Sequence, residues 1–194
     1  MTEPKLTAKG RARRDALLDA ALAVIEREGP AALTHRAVAA EAGFPTSAAT
    51  YYFSDIDELL TSVLRRSVAD YDASIGRLDP HDLEGAADAI RRYALEQRAT
   101  AVAHYELLLL ATRRPALRAD AEAWYAILER DLGRAVPEDA PDAAARIRSA
   151  ALAVDGLLLH MLWRGEPASH EGVRAALAAA LAPLSAGAGA ATSA

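Results

Sequence analysis

The segment spanning residues 33–53, LTHRAVAAEAGFPTSAATYYF, restricts the possible folds more than any other. Thr34 can cap a helix by accepting a hydrogen bond from an amide N–H that a helix start leaves unpaired. Ala37, Val38, Ala39 and Ala40 are small or apolar enough for a short helix to lie close to its neighbours. Gly43 ends that helix. Pro45 suits the start of another, because its missing N–H is one that a helix N-terminus does not use. The spacing predicts helix, tight turn, helix, the second helix being PTSAATYYF.

A pair of this kind can lay its second helix in the DNA major groove, where side chains near the helix start meet base edges. Behind Pro45, the residues available there are Thr46, Ser47, Ala48 and Thr50. Hydroxyls can bond phosphates or base edges, and Ala and Thr methyls can touch the thymine methyl. Tyr51 and Tyr52 add phenolic donors beside the backbone. The segment alone also reads as an ordinary turn between two core helices, the less favoured of the two readings, so the rest of the chain has to decide.

At 194 residues with 52% hydrophobic composition the chain can bury a substantial core. Alanine is abundant, aromatics are 5%, and strand-like alternation is missing, which favours closely packed helices. The absence of cysteine excludes a disulfide framework, a thiol nucleophile and thiolate metal sites. The polar, basic N-terminus is unlike a signal peptide. The longest dense apolar run, residues 150–163, is interrupted by Asp155, Gly156 and His160 and falls short of the roughly 20 residues of a membrane span. The expectation is a cytoplasmic protein with no membrane partner. A formal net charge of −5 hides an asymmetry: Lys5, Lys9, Arg11, Arg13 and Arg14 crowd the first residues, opposed locally by Glu3. This basic arm directly precedes the helix pair, and an acidic body with a basic end repels DNA except at one face.

Residues 11–28 carry Leu17, Ala21, Leu22, Val24 and Ile25 at helical spacing before Gly29-Pro30, and predict a first helix packed across the pair. After Phe53, Ser54 to Asp57 resembles a capping box opening a fourth helix that runs to about residue 78, with Arg65 and Arg66 expected in solvent. A helical run from Leu83 to about Ala101 continues through His104, Tyr105 and Leu110 until Pro115. Leu117, Ala121, Trp124, Leu128 and Leu132 then recur at steps of four, three, four and four, defining an amphipathic helix. Residues 142–163 are almost wholly apolar from Ala150 onward, so that helix needs burial on all sides, against its own domain and against a second subunit. With the last helix it offers Leu152, Leu158, Leu159, Leu162, Val173, Leu177 and Leu181 to a four-helix bundle in a homodimer. Residues 185–194 are low-complexity and expected to be disordered.

The ordered set of Glu28-Gly29, Leu33 to Ala39, Ala42-Gly43-Phe44, Thr50 to Phe53 and Asp57 to Leu60 resembles the TetR family of transcriptional regulators. The resemblance is specific over residues 14–60 and continues beyond them in helix number and order. It implies an all-α fold of about nine helices. Residues 1–54 would form the basic arm and DNA-binding domain, and residues 55–184 a ligand-binding and dimerisation domain. It also implies a palindromic operator, a small-molecule effector and repression as the usual mode. Arg36 corresponds to a base-reading position and Thr34 to one approaching phosphate, with residues 46–52 as the recognition helix. Thr50, Ile56 and Ser47 stand where many members have Tyr, Lys and Gly, so Tyr51 or Tyr52 and the arm residues Lys9, Arg11, Arg13 and Arg14 become the compensating phosphate contacts. Aromatic and apolar residues, with two histidines, suited to an effector pocket are Tyr93, His104, Tyr105, Trp124, Tyr125, His160 and Met161.

An enzyme is the reading from another class, yet no metal-ligand spacing joins His35, His81, His104, His160 and His170, and no glycine-rich phosphate loop or serine elbow occurs. Asp55, Asp57 and Glu58 are better explained as helix-start acids. No catalytic residue, metal or cofactor is expected. A dimeric helical adaptor that does not bind DNA is the third reading.

Overall fold

The computed structural model describes residues 6–75, 79, 81–140, 142–164 and 169–182. The disorder expected of residues 185–194 lies outside them. Among the described residues the chain is all-helical, with nine α-helices and no strand. These are α1 (Ala8–Glu28), α2 (His35–Glu41), α3 (Thr46–Tyr52), α4 (Ile56–Ile75), α5 (Leu83–Leu95), α6 (Arg98–Leu110), α7 (Arg118–Gly133), α8 (Ala143–Arg164) and α9 (His170–Leu181). Single 3-10 turns, Pro30–Ala32 and Pro115–Leu117, precede α2 and α7. No helix among the described residues is long and apolar enough to cross a membrane.

The chain divides into two compact units. The first holds Met1–Arg77 and Arg92–Ala126, and the second Leu78–Arg91 and Ile127–Ala194. In the first, α1 packs on α2, α4 and α6, and α2 packs on α3. Its core joins Leu17, Ala21, Val24 and Ile25 of α1 to Val38, Ala39, Ala49, Phe53, Leu59, Leu60 and Leu64, all buried. Ion pairs bind α4 to its surroundings: Arg65 holds Asp120 through two hydrogen bonds of 3.0 and 3.2 Å, and Arg66 reaches Asp19 at 2.8 Å. Arg65 and Arg66 keep solvent exposure as expected, 67% and 36% of their side chains, and folding adds acidic partners to them.

Three helix boundaries differ from expectation. α1 starts at Ala8, earlier than the hydrophobic periodicity suggests, because the Thr7 hydroxyl accepts the Gly10 N–H at 3.1 Å. At α4 the box is shifted by one residue: Glu58 N–H donates to Asp55 at 2.8 Å while the Glu58 carboxylate accepts the Ser54 N–H at 2.6 Å. Asp57 instead pairs with Arg114. The run from Leu83 to Leu110 is two helices: after Leu95 the Gln97 N–H reaches back to the Arg92 carbonyl, and Gln97 leaves helical geometry at φ −108°, ψ 31°.

In the second unit α8 packs along α9. Ala150, Val154, Leu158, Met161 and Leu162 meet Val173 and Leu177 in its core. The buried Arg146 guanidinium closes the end of α9 by donating to the Leu181 carbonyl at 2.6 and 3.2 Å. At the other end, Arg174 lies 3.3 Å from Glu84 and His170 lies 3.2 Å from Asp88, fastening α9 to the start of α5.

Candidate functional site

The helix pair forms as its residues dictate. Thr34, extended at φ −139°, accepts the Ala37 N–H at 3.0 Å and starts α2. Gly43 turns the chain at φ +69°, a left-handed conformation that suits glycine. Pro45 caps α3, and its carbonyl accepts the Ala48 N–H at 2.9 Å. The His35 ring donates Nε2–H to the Phe53 carbonyl at 2.9 Å, tying the start of α2 to the end of α3.

Helix α3 buries one residue, Ala49, and turns outward Thr46, Ser47, Thr50 and Tyr51, the last 75% exposed. Ala48 and Tyr52 are half-buried, and Pro45 is exposed. The Thr50 hydroxyl donates to the Ser47 carbonyl at 3.3 Å, which leaves its methyl free to face outward. On α2, Arg36 is exposed and makes no hydrogen bond or ion pair with the described residues, and Thr34 is exposed beside it.

Of the basic residues expected to form an arm, Lys9, Arg11, Arg13 and Arg14 stand on α1 itself, and Lys5 lies outside the described residues. Positive charge at a helix N-terminus opposes the helix dipole, and no acidic residue offsets it in the first turn. Lys9 and Arg11 are exposed, and Arg11 donates to the Leu6 carbonyl at 2.6 Å. Arg13 and Arg14 are half-buried in a different role: the Arg13 guanidinium lies 4.6 Å above the Phe44 ring and that of Arg14 lies 5.3 Å above Phe53. Arg14 also donates to Ser62 Oγ at 3.3 Å. Consecutive arginines thus hold the two phenylalanines that flank α3, a positioning role that their place in a basic run concealed.

If Lys9 and Arg11 touch phosphate, Lys9→Ala/Arg11→Ala should lower the slope of log binding constant against log salt by about 0.9 per lost contact. A slope equal to that of the parent protein would remove both from the interface.

The expected pocket residues separate. In the first unit, Tyr93 and His104 share a hydrogen bond between Oη and Nδ1, and Trp124 sits against both. Tyr71, which the sequence reading passed over, stacks on Trp124 with ring centroids 4.1 Å apart. His104 and Trp124 are buried, whereas Tyr71 and Tyr93 are half-buried and form the rim. Burial pushes the His104 pKa down to about 4, so the ring is neutral near pH 7. Its Nε2 is buried and has no hydrogen-bond partner among the described residues. Tyr105 is buried and Tyr125 is 39% exposed. In the second unit Met161 is buried and His160 is exposed, its ring edge against Trp163.

The bundle candidates also divide. Leu158, Leu162, Val173 and Leu177 are buried within the single chain, Leu181 is half-buried, and Leu152 and Leu159 are 62% and 43% exposed. Trp163, 74% exposed, extends their stripe along α8.

A capped helix, a glycine turn and a short helix with a polar outer face, set against a longer first helix, make this a helix-turn-helix protein. Residues 17–63 match the family described as bacterial regulatory proteins, tetR family. Residues 80–183 match the tetracyclin repressor-like C-terminal domain, and the chain belongs to the TetR family of transcriptional regulators. Among solved structures it is similar to multidrug binding protein EbrR complexed with ethidium, at 30% identity and a TM-score of 0.75, covering 89% of this chain and 99% of that one. The EbrR complex with malachite green matches at 30% identity over the same shares, with a TM-score of 0.72. A TetR-family member from Streptomyces coelicolor A3, SCO1917, matches at 30% identity, 89% and 99% coverage and a TM-score of 0.76. Among curated proteins nothing matches.

Proposed function

We propose that this protein is a ligand-responsive repressor that binds a palindromic operator as a homodimer in the cytoplasm and is released by a small aromatic molecule. The observation that carries the DNA-binding part is the outward face of α3, Thr46, Ser47, Thr50 and Tyr51, beside the exposed Arg36. Methyls and hydroxyls on α3 meet bases and phosphates, and Arg36 supplies the charged bidentate contact that α3 itself lacks. Residues 1–54 carry this task and residues 55–184 the effector and dimer functions. The exposed apolar stripe Leu152, Leu159 and Trp163 supports α8 as part of the dimer interface, since contiguous apolar surface of that kind marks an association site. The EbrR structures, described as complexes with ethidium and malachite green, support an aromatic effector for this chain.

Footprinting on the gene's own upstream DNA tests the reading, with malachite green added in a second series. Ethidium is unsuited to that series because it intercalates into DNA. A protected palindrome that malachite green or another aromatic ligand exposes is the expected result, and no protection at low salt refutes DNA binding. Arg36→Ala should cost about 1–3 kcal/mol at one base pair of each half-site and relax selectivity there. Uniform weakening across operator variants would reassign Arg36 to a phosphate.

A further inference from the structure

Among the described residues the His104 ring has one nitrogen bonded and the other buried without a partner: Nδ1 is engaged by the Tyr93 hydroxyl, and Nε2 is the buried one. A buried polar atom with no protein partner calls for another hydrogen-bonding group beside it, a bound water or a guest. Tyr93 and Trp124 stand against the ring, and Tyr71 stacks on Trp124, so the cluster offers aromatic stacking surfaces. Tyr71 and Tyr93 are half-buried at the rim of the cluster, and Trp124 is buried behind them.

We propose that the Tyr93–His104 pair is the polar anchor of the effector site, taking an aromatic molecule that presents one uncharged hydrogen-bonding group to His104 Nε2. The proposal rests on the effector reading above and adds the chemistry of recognition. A phenolic hydroxyl both donates and accepts. When Tyr93 donates to Nδ1, Nε2 carries the proton and offers a donor. When Nδ1–H donates to Tyr93 Oη, Nε2 offers a lone pair. The pair therefore adapts by tautomer to a guest acceptor or a guest donor, and both arrangements keep Nδ1 satisfied. An ionic group at Nε2 is disfavoured, because the buried neutral nitrogen offers one hydrogen bond in place of its hydration.

Three probes of nearly one shape test this: naphthalene, 2-naphthol and quinoline, titrated calorimetrically at pH 7.5 against the full chain. We expect 2-naphthol and quinoline to bind at least tenfold more tightly than naphthalene. In the double variant Tyr93→Phe/His104→Leu the three should bind alike, while the ligand-free variant melts no lower than the parent, since both polar partners leave together. Imidazole nitrogen NMR on the unsubstituted protein gives a reading independent of the variant. The His104 Nε2 signal should move with 2-naphthol and with quinoline and stay in place with naphthalene. Equal binding of all three by the parent, a preference that survives in the variant, or an unmoved Nε2 signal overturns the anchor. Where malachite green binds and the naphthalene series shows no preference, the anchor fails and the effector reading stands. Where nothing aromatic binds, both fail.

Discussion

Phe53→Ala should cost about 3–5 kcal/mol and remove operator binding, the largest effect expected of any single truncation in the DNA-binding part. Phe53 is fully buried and sits at the joint where α3 ends and the chain turns toward α4. Its N–H donates to the Ala49 carbonyl at 3.0 Å, its carbonyl accepts from His35, and its ring lies under the Arg14 guanidinium. Truncation leaves a cavity in the buried core and takes away the surface on which Arg14 rests. A domain holds only about 5–15 kcal/mol in total, so such a loss populates unfolded forms. Urea denaturation followed by circular dichroism, beside gel shift at matched protein concentration, measures both consequences. Phe53→Leu, which retains most of the volume, should keep DNA binding with a smaller loss. An unchanged denaturation midpoint in Phe53→Ala would show that this joint does not set the stability of the helix pair.

The second large effect is acid lability from His104. Burial lowers its pKa from 6.5 in the unfolded chain to about 4 in the fold. The unfolded state therefore binds more protons between these values, and stability rises with pH across that window. The contribution is complete above about pH 6.5, declines as the pH falls, and is exhausted near pH 4. The gap corresponds to about 3 kcal/mol, as an order of magnitude. Urea midpoints at pH 7, 5.5 and 4.5 in the parent and in His104→Leu separate this effect from the carboxylates, which both proteins share. The parent should lose stability more steeply between pH 6.5 and 4.5. Parallel profiles would mean that His104 gains solvent in the native state.

The helix pair was legible because its instructions are local. A threonine cap, a glycine turn and a proline cap each act within four residues, and residues 34–53 adopt what those residues prescribe. The break in the run from Leu83 to Leu110 carries no glycine or proline: Glu96 and Gln97 are good helix formers, yet the chain leaves helical geometry at Gln97. Arg65 and Arg66 gave no hint of their partners, since Asp120 and Asp19 lie far along the sequence and meet them only after folding. The same holds for Arg13 and Arg14, whose aromatic supports come from the turn before α3 and the residue after it. The aromatic cluster was half legible. Trp124 announced itself through the period of α7, and Tyr71 was missed because its helix was judged by its aliphatic face.

Helix α6 carries His104 toward the aromatic cluster, and from the same thirteen residues Thr100 donates to Glu26 near the end of α1. The Glu106 carboxylate lies beside Gly29, 3.7 Å from the position of a Cβ there, at the bend that leads toward α2. One rigid rod thus has a handle at the imidazole and a foot on the segment feeding the helix pair. In a regulator released by its effector, the traffic along such a rod runs both ways by the same factor. Operator DNA then acts as an antagonist of the small molecule, and an affinity measured on the free protein overstates how readily the DNA-bound form is emptied from its site.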